Sequence, residues 1–383
     1  MYFFNAEELE LQKLCRDFAK KELAPFAYQY DEEEKFNIDA FKKLGDLGLL
    51  GITANEKYGG VNLGATSATI AMEEFGKIDA GFALSYLAHT ILCVNNINNN
   101  ASDEQKEKYL PDLISGKKIG CMGMSEPENG SDAIGMKTRA KKISDKNYEI
   151  TGAKMWITNA QFAEVVYLYT RSGDAKKDLT TFIVDAPSPG YSVSKTIHKM
   201  GMRTSPTGEL SFQKVKVDEN QRVGNEGDSM VHMLKNLEIE RITISGISLG
   251  IAQACVDQCI KYSGERKQFG KNLAHYQMIQ KMVAEMATEL EMCRRFLYSV
   301  TKEYDAGNRS NLLASMVKLQ IPKMVTKICL DAIQLHGGYG YSREFPLERY
   351  LRDNKLMEIG AGTNEVMIII IAKNLLDEAL KTK

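Results

Sequence analysis

Hydrophobic and polar positions change their spacing twice along the chain. In the first part, from about Glu7 to Gly116, apolar residues recur every three or four positions, as in EELELQKLCRDFAKKEL. This spacing predicts amphipathic helices, and the stretch SDEQKEKYLPDLISG opens with a Ser-x-x-Gln capping box that marks a helix start. Residues 1–116 are therefore predicted to form an N-terminal helical domain.

The second part has a different texture. Short alternating or β-branched runs are separated by Gly, Pro, Asp and Asn, namely YEITG, AEVVYLYT, LTTFIVD, YSVSK and GELSFQKVKV. Alternation with a period of two and β-branched side chains favour strands. Residues 117–225 are predicted to form a small antiparallel β-domain.

Long helical patterns return in the third part, which covers 226–383. They run over 231–270, 276–304, 311–336 and 363–381, and we expect these helices to pack as an antiparallel bundle. The predicted fold class is therefore α+β, in the uncommon order of helices, then strands, then helices.

The composition is that of a soluble protein with an extensive core. Of the 383 residues, 44% are hydrophobic and 26% are charged, and 49 basic against 50 acidic side chains give a formal net charge of −1. A nearly neutral molecule has no long-range field that attracts nucleic acid or an anionic membrane, so no nucleic-acid partner is expected. An anionic ligand has to be held by a local site.

Cysteines and histidines indicate neither a disulfide framework nor a metal centre. The seven cysteines occur singly without a CxxC motif, and the five histidines share no ligand spacing, so no metal is expected. The N-terminal stretch MYFFNAEELELQKL lacks the features of a signal or transit peptide. Apolar stretches such as ITISGISLGIAQACV fall short of about 18 uninterrupted residues. We expect a cytoplasmic protein without a membrane span.

Two segments of the β-domain offer ligand-binding groups. In CMGMSEPENGSD, residues 121–132, Ser125 and its neighbours form a loop that could cradle a polar ring or a phosphate, and the alternative is an ordinary turn between helix and strand. In KMWITNA, Trp156 and Thr158 are expected to point to the same face of a strand, where both could contact one ligand. A lone Trp is otherwise a core or interface residue.

Two helix ends offer further candidates. ERKQFG, residues 265–270, places Arg266 at the end of a long helix, where its guanidinium could bind a pyrophosphate or simply interact with the helix dipole. QLHGGYGY, residues 334–341, ends another helix with a Gly-Gly pair. A glycine C-cap accounts for one of the two glycines, whereas the second allows a very close backbone approach.

Glu240 is the candidate proton acceptor. In MLKNLEIERITISGI it falls inside the apolar stripe that Leu237 and Ile244 help to form. Burial raises the pKa of a carboxyl group and suits it to accept a proton from carbon. The alternative is a buried ion pair with Arg241 or with a residue of a facing helix.

The stretch MEIGAGTNEV, residues 357–366, contains a turn at Gly360, Ala361 and Gly362. A phosphate or a carbonyl group could approach this turn closely, but the turn itself carries no charge. An acid or base beside it must therefore come from another element.

These segments occur in an order that resembles the acyl-CoA dehydrogenase family of flavoproteins. The ordered set MSEPENGSD, WITN, RKQFG, QLHGGYGY, RYLRDNKL and GAGTNE extends over nearly the whole chain and is specific, although each motif is weak alone. The stretches LSYLAHTILCVN, LEIER and EIGAGTNEV are most similar to the isovaleryl-CoA branch. The resemblance implies a helical domain, an antiparallel β-barrel domain and a C-terminal four-helix bundle.

The resemblance implies a non-covalent FAD that lies against the β-domain. Because a neighbouring subunit would hold the pyrophosphate and adenine, it also implies an oligomer, commonly a homotetramer built as a dimer of dimers. The implied cofactor contacts are Met122, Met124, Ser125, Trp156, Ile157 and Thr158 around the flavin ring; Arg266, Phe269, Gln277, Gln334, Gly337 and Gly338 around the pyrophosphate and adenine; and Thr363 and Glu365 after the glycine turn.

The resemblance also implies the base and the substrate, an acyl-CoA thioester. Most relatives carry a catalytic Glu where this chain has Ala361, but a smaller group places it on the long helix immediately before an Arg, as Glu240 precedes Arg241 here. Glu240 would remove the α-proton while the β-hydrogen leaves as hydride to the flavin. The implied substrate contacts are Ser131, Glu238, Arg241, Gly360, Ala361 and Gly362.

The acyl group and the electron acceptor are open. Many relatives have a bulky aromatic residue at the position of Gly360, so its absence widens the pocket and favours a short or branched acyl group. A straight medium or long chain or an alicyclic group would also fit. Electron-transferring flavoprotein is the implied acceptor. A flavin-free protein that keeps the scaffold for binding or assembly is the second class of function, but it needs neither the cofactor motifs nor a base.

Overall fold

The computed structural model describes residues 4–175 and 177–381. Its first part is helical, as predicted, and the predicted capping box starts a helix: the Ser102 hydroxyl accepts the N–H of Gln105, and the Gln105 side chain accepts the N–H of Ser102. The helices are α1 Ala6–Phe18, α2 Ala27–Glu33, α3 Ile38–Asp46, α4 Gly64–Gly76, α5 Ala80–Leu87, α6 Asn95–Asn100 and α7 Asp103–Ile114.

The middle part is a single large sheet. Its strands run in the order β6-β7-β3-β2-β4-β5-β8, with β1 beside β4. Most pairs are antiparallel, as predicted, but β1 and β2 each pair with β4 in parallel, so the sheet is mixed. The strands are β1 Gly120–Gly123, β2 Arg139–Lys142, β3 Asn147–Thr158, β4 Val165–Arg171, β5 Leu179–Asp185, β6 Tyr191–Thr196, β7 Thr207–Asp218 and β8 Arg222–Val223.

The last part returns to helices, as predicted. A two-stranded hairpin, β9 Lys267–Gln268 and β10 Lys271–Asn272, separates the first two of them. The predicted helix at 311–336 has the bounds of α10, whereas α12 was not predicted. The helices are α8 Ser229–Glu265, α9 Gln277–Asp305, α10 Asn311–His336, α11 Gly338–Tyr341, α12 Leu347–Met357 and α13 Asn364–Lys381.

The N-terminal and C-terminal helices share one core. Phe75 of α4, Ile247 of α8, Leu297 of α9 and Val325 of α10 are all fully buried in it. Glycine permits the closest approach, because a Cβ added at Gly250 of α8 would lie 2.3 Å from the carbonyl oxygen of Glu73 on α4. Part of the sheet has a core of its own, and other strand residues pack against the helices. The helix α8 packs against α4 as well as against α9 and α10.

The expected boundaries near 116 and 225 fall between elements, because β1 begins at Gly120 and α8 at Ser229. The exact boundaries stay predictions, and residues 1–3, 176 and 382–383 of the predicted domains lie outside the described residues. Two helical stretches, Ala80–Asn100 and Ser229–Glu265, are long and apolar enough to cross a membrane, yet 94% of each apolar window is buried inside the fold. Such burial is typical of core helices in a globular protein.

Candidate active site

The loop that follows β1 is anchored to β3 by a buried lysine. Lys154, which is completely buried, donates hydrogen bonds from Nζ to the carbonyl oxygen of Met124 at 3.0 Å and to Oε1 of Glu126 at 2.9 Å. Glu126 also accepts the backbone N–H groups of Lys137 and Thr138, at 2.6 and 2.8 Å. Burial lowers the pKa of Lys154 to about 8, and Glu126 opposes this shift. Both ends of the loop are therefore held in place.

The residues predicted to surround the flavin ring lie on this loop and at the end of β3. The hydroxyl groups of Ser125 and Thr158 have no side-chain hydrogen bond to another described residue. Trp156 is 57% exposed and has φ 64° at a β-bulge, so its direction is not set by the strand alternation from which a shared face with Thr158 was predicted. Ile157 points into the sheet's core, which leaves only its backbone for a ligand.

Glu240 lies on the buried face of α8, where its sequence pattern places it. The residue is only 6% exposed, and its Oε2 has no hydrogen-bond partner among the described residues. Burial raises the pKa of Glu240 to about 7, although Arg241 and Lys318 favour the charged carboxylate. Within the described part of the chain no ion pair shorter than 4 Å involves Glu240. A buried carboxylate with a free oxygen can accept a proton near neutral pH.

Arg241 and Glu238 flank Glu240 and are also buried. Nη1 of Arg241 donates to Oδ1 of Asn311 at 2.8 Å, whereas its Nε has no partner in the described structure. Oε2 of Glu238 accepts a hydrogen bond from Nε of Arg309 at 3.1 Å, and its Oε1 has no described partner. Buried polar atoms without partners are rare. Such atoms mark places where a polar ligand can bind, although Glu238 and Glu240, two positions apart on α8, do not face each other.

The glycine turn lies directly beside this face. Ala361 and Gly362 have φ values of 56° and 96°, in the left-handed region. The carbonyl oxygen of Gly362 accepts a hydrogen bond from Nζ of Lys318 at 2.7 Å. A Cβ added at Gly362 would lie 4.0 Å from Nη2 of Arg241. The turn therefore has two positively charged neighbours, Lys318 and Arg241. The negatively charged group near it is the carboxylate of Glu240 on α8.

The residues on either side of the turn have different surroundings. A Cβ added at Gly360 would make ordinary contacts with Leu356, the nearest at 3.5 Å, so this position accepts a side chain without a clash. The hydroxyl of Thr363 accepts the backbone N–H of Val366 and thereby caps the start of α13. Glu365 is exposed in the first turn of that helix.

The loop after β1 and the Glu240 helix meet in one buried cluster. Met122 and Met124, which are half-buried, pack against the same residues as Leu237, less than one turn before Glu240. Tyr169 of β4 belongs to this cluster. Its pKa is raised by burial, and the charge of Glu240 contributes to the increase. Two of the predicted flavin contacts, Met122 and Met124, and the predicted base are thus close to the same buried cluster.

A cavity of about 520 Å³ lies where α8 and α10 end. Arg266 at the end of α8 lines it together with Gly337 and Gly338, and the resemblance implies all three for the pyrophosphate and adenine of FAD. Tyr262 and His336 also line the cavity, and the sequence did not predict them. Neither residue stands out in its own helix, and they meet only because the fold brings the ends of α8 and α10 together.

Three other residues predicted for the same role do not line this cavity. Phe269 is 94% exposed on the hairpin, Gln277 is exposed at the start of α9, and Gln334 is exposed on α10. Ser131, predicted to contact the substrate, is exposed in the loop after β1, and its hydroxyl has no hydrogen bond to another described residue. Their predicted contacts require a ligand or a second copy of the chain.

The residues of this cavity and of the segments around Ser125 and Thr158 suit FAD. His336 is buried, its Nε2 has no partner in the described structure, and its ring stacks on Tyr262 with centroids 4.1 Å apart. Arg266 forms no ion pair with a described carboxylate. A free guanidinium suits a pyrophosphate, and stacked rings suit an adenine. The free hydroxyls of Ser125 and Thr158 suit the polar edge of a flavin. Among the described residues no group of three or more His, Cys, Asp or Glu is placed to hold a metal ion.

An order of helices, sheet and helices, with a buried carboxylate on the long helix α8, is what the resemblance to flavoprotein dehydrogenases implies. Models of the N-terminal, middle and C-terminal domains of acyl-CoA dehydrogenases match residues 5–117, 121–215 and 230–376. The chain belongs to the acyl-CoA dehydrogenase family.

Individual relatives cover nearly the whole chain. The chain is 40% identical over 375 residues to the mitochondrial isovaleryl-CoA dehydrogenase of Pongo abelii, which covers 96% of this chain and 88% of that protein. Butyryl-CoA dehydrogenase from Megasphaera elsdenii superposes with a TM-score of 0.95 at 34% identity, covering 97% and 99% of the two chains. The FAD complex of PigA superposes with a TM-score of 0.93 at 28% sequence identity, and the match covers 97% of this chain and 98% of that chain. The predicted family, fold class and cofactor are confirmed.

Proposed function

We propose that the protein is an FAD-dependent dehydrogenase that converts an acyl-CoA thioester to the trans-2-enoyl-CoA, with a short or branched acyl group of the isovaleryl type as its preferred substrate. One observation carries this proposal. Glu240 is a buried carboxylate with an unpaired oxygen beside a charge-free glycine turn. Identity of 40% to an isovaleryl-CoA dehydrogenase supports the class of acyl group.

Glu240 is the proton acceptor. The α-C–H of a thioester is a very weak acid, so its removal requires a positioned base that is ionised at working pH. Oε2 of Glu240 takes the α-proton, and the carboxylate becomes a neutral carboxyl group. FAD, when bound, supplies the acceptor for the hydride that leaves Cβ. The two electrons of the new double bond come from the broken α-C–H bond.

The glycine turn stabilises the negative charge that develops on the thioester oxygen. The backbone N–H of Ala361 is the donor, and because it is a main-chain group it requires no particular side chain at this position. Arg241, with its unpaired Nε, lies beside the turn and attracts the same charge. Burial of the site excludes water, which strengthens both interactions.

The absence of a side chain at Gly360 supports a branched acyl group. A Cβ there would have only ordinary contacts, the nearest at 3.5 Å, so a larger side chain could be built at this position and would take up room that glycine leaves to the acyl group. A straight medium or long chain or an alicyclic group also fits a wider cavity, and one methylene changes selectivity by only about 10- to 200-fold. These groups are the alternative substrates.

A homo-oligomer, a homotetramer in our proposal, completes the cofactor site. Glu240 and Arg266 are separated along α8 by about 26 residues, roughly 40 Å of helix, so we assign them to two different FAD molecules. Apolar side chains next to Arg266 are exposed, with Phe269 at 94% and Met278 at 81%. Exposed apolar groups of this kind suit a subunit interface. We further propose electron-transferring flavoprotein as the acceptor and the cytoplasm as the location.

The deciding experiment is anaerobic flavin bleaching by a panel of thioesters. Isovaleryl-, isobutyryl-, 2-methylbutyryl-, straight-chain and cyclohexanecarbonyl-CoA are mixed with the yellow protein, and the absorbance near 450 nm is followed. We expect isovaleryl-CoA to give the highest kcat/KM. Bleaching by a straight-chain thioester alone would select the alternative substrates, and a colourless protein that binds no FAD would select the scaffold function. Turnover with oxygen alone would identify an oxidase.

A further inference from the structure

Lys318 has no part in the chemistry described above, although it is completely buried inside the site. It lies on α10 and has no solvent exposure. Its Nζ makes one hydrogen bond to a described residue, to the carbonyl oxygen of Gly362, and it forms no ion pair within 4 Å in the described part of the chain. A buried ammonium without a paired carboxylate is costly to folding. A functional reason is therefore needed for a lysine at this position.

The groups that face Lys318 come from three elements. Glu240 and Arg241 lie on α8, Glu358 follows α12, and Glu365 lies on α13. The carboxylate of Glu358 already accepts hydrogen bonds from three side chains, those of Thr326, Lys355 and Asn364. Its negative charge is therefore balanced by Lys355 rather than by Lys318. Glu365 is at the surface, where water weakens its effect. Burial lowers the pKa of Lys318 to about 8, which still leaves it largely charged at pH 7.

The groups that face Glu240 are fewer. Arg241 is its neighbour on α8, Lys318 faces it from α10, and Tyr169 faces it from β4. Tyr169 stays neutral, because burial raises its pKa well above the ordinary value. The guanidinium of Arg241 donates to Asn311 and is next to Gly362. Two cations therefore act on the carboxylate, and neither occupies its free Oε2.

The contact with Gly362 has a second effect. Ala361 is a non-glycine residue in the left-handed region, a conformation that costs on the order of 1–3 kcal/mol unless its surroundings impose it. Lys318 holds the carbonyl group of the next residue at 2.7 Å. Fixing that peptide group restricts the turn and with it the direction of the Ala361 N–H.

We propose that Lys318 is a positioning residue of the dehydrogenase site, whose ammonium fixes the Gly362 carbonyl and so aims the Ala361 N–H at the thioester oxygen, and whose positive charge favours the ionised form of Glu240. The inference deepens the proposed function and rests on it. It assigns two separable roles to one side chain, a tether and a charge.

Two variants separate these roles. Lys318→Gln keeps a hydrogen-bond donor but removes the charge, and Lys318→Met removes both. In both variants the acid limb of the pH profile of kcat/KM should shift to higher pH by about one unit, because the loss of a neighbouring cation raises the pKa of Glu240. The base, ionised to about one half at pH 7 in the parent, would then be ionised to about one tenth, and kcat/KM at pH 7 should fall about fivefold.

The tether is tested by binding. A thioether analogue of the acyl-CoA has no carbonyl oxygen and cannot use the Ala361 N–H, so calorimetry should give parent and Lys318→Met proteins the same Kd within about twofold. A non-reactive amide analogue that keeps the carbonyl oxygen should bind Lys318→Met about tenfold more weakly than the parent, the loss expected for a misplaced hydrogen bond. For the amide analogue, the Kd of Lys318→Gln should lie between those of the parent and of Lys318→Met.

Lys327→Met is the matched control, since Lys327 lies on the same helix but pairs at the surface with Glu289 and Asp331. It should leave the pH profile and both Kd values unchanged. If Lys318→Met does not fold, Lys318→Arg, which keeps the charge, should retain the parental acid limb. An unmoved acid limb in Lys318→Gln, or equal losses for thioether and amide, would overturn the inference. Failure of the proposed function would give a different result, because no thioester would then bleach the flavin of the parent protein.

Discussion

Lys154 holds Glu126 and the carbonyl of Met124 together beneath the loop that follows β1, at 2.9 and 3.0 Å from its Nζ. The ion pair is almost fully buried, and its carboxylate also fastens the far end of the loop through two backbone N–H groups. The shape of this loop is thus set by two buried charged side chains.

Lys154→Met should destabilise the protein by about 3–5 kcal/mol, because it leaves the carboxylate of Glu126 buried without its partner. Chemical unfolding and FAD content after gel filtration measure the effect. The double variant with Glu126→Gln should lose less than the sum of the single variants, since the unpaired charge is gone. A single variant within 1 kcal/mol of the parent would contradict the role given to this pair.

Glu240→Gln should bind acyl-CoA with nearly parental affinity and reduce the flavin at least about 100-fold more slowly, because the amide cannot take the α-proton. Stopped-flow absorbance measures flavin reduction, and calorimetry measures binding. Adding Ala361→Glu to this variant should restore part of the rate, since that position carries the base in most relatives. Normal reduction by Glu240→Gln would falsify the assignment of the base.

The pH dependence of kcat/KM should show an acid limb near pH 7. Glu240 is active only when deprotonated, and burial raises its pKa to about 7. Activity is therefore full above this pH and falls tenfold per unit well below it. Initial rates between pH 5 and 9 with an artificial electron acceptor check this. In Glu240→Gln the limb should be absent, and a limb near pH 4.5 in the parent would show that the carboxylate is not buried during catalysis.

Gly360→Tyr should narrow the pocket beside Cα and Cβ. The backbone at Gly360 is not left-handed and a Cβ there has ordinary contacts, so we expect the variant to fold. The kcat/KM for isovaleryl-CoA should fall about 10- to 200-fold relative to that for butyryl-CoA. Gly360→Ala is the small-side-chain control. An equal loss for both thioesters would mean that this position does not select the acyl branch.

Arg266→Ala should weaken FAD binding about tenfold or more, because a charge-assisted contact to the pyrophosphate is lost. The measurement is the FAD-to-protein ratio at decreasing protein concentration. Lys267→Ala, the exposed neighbour on β9, removes the same charge outside the cavity and should retain its FAD. Equal retention by both variants would remove Arg266 from the cofactor site.

Helical periodicity and β-branched content predicted the helices and strands that such local patterns determine. The bounds of α10 and β5 agree with periodicity and β-branched content, and the apolar stripe on α8 located Glu240. The strand β1 has four residues, two of them Gly, and pairs with β4 more than 40 residues later, so nothing nearby indicates it. Lys154, Lys318 and His336 were missed for the same reason. Each acquires its role from a partner that only the tertiary fold supplies.

In the oligomer that we propose, the length of α8 allows two altered chains to complement each other. A subunit carrying Glu240→Gln would still offer Arg266 to the cofactor of the neighbouring subunit, and a subunit carrying Arg266→Ala would still offer Glu240 to its own cofactor. In a mixed pair, one of the two sites would then have both residues intact. Dissociating the two variants and reassociating them together at limiting FAD should therefore give more activity than the two variants give separately.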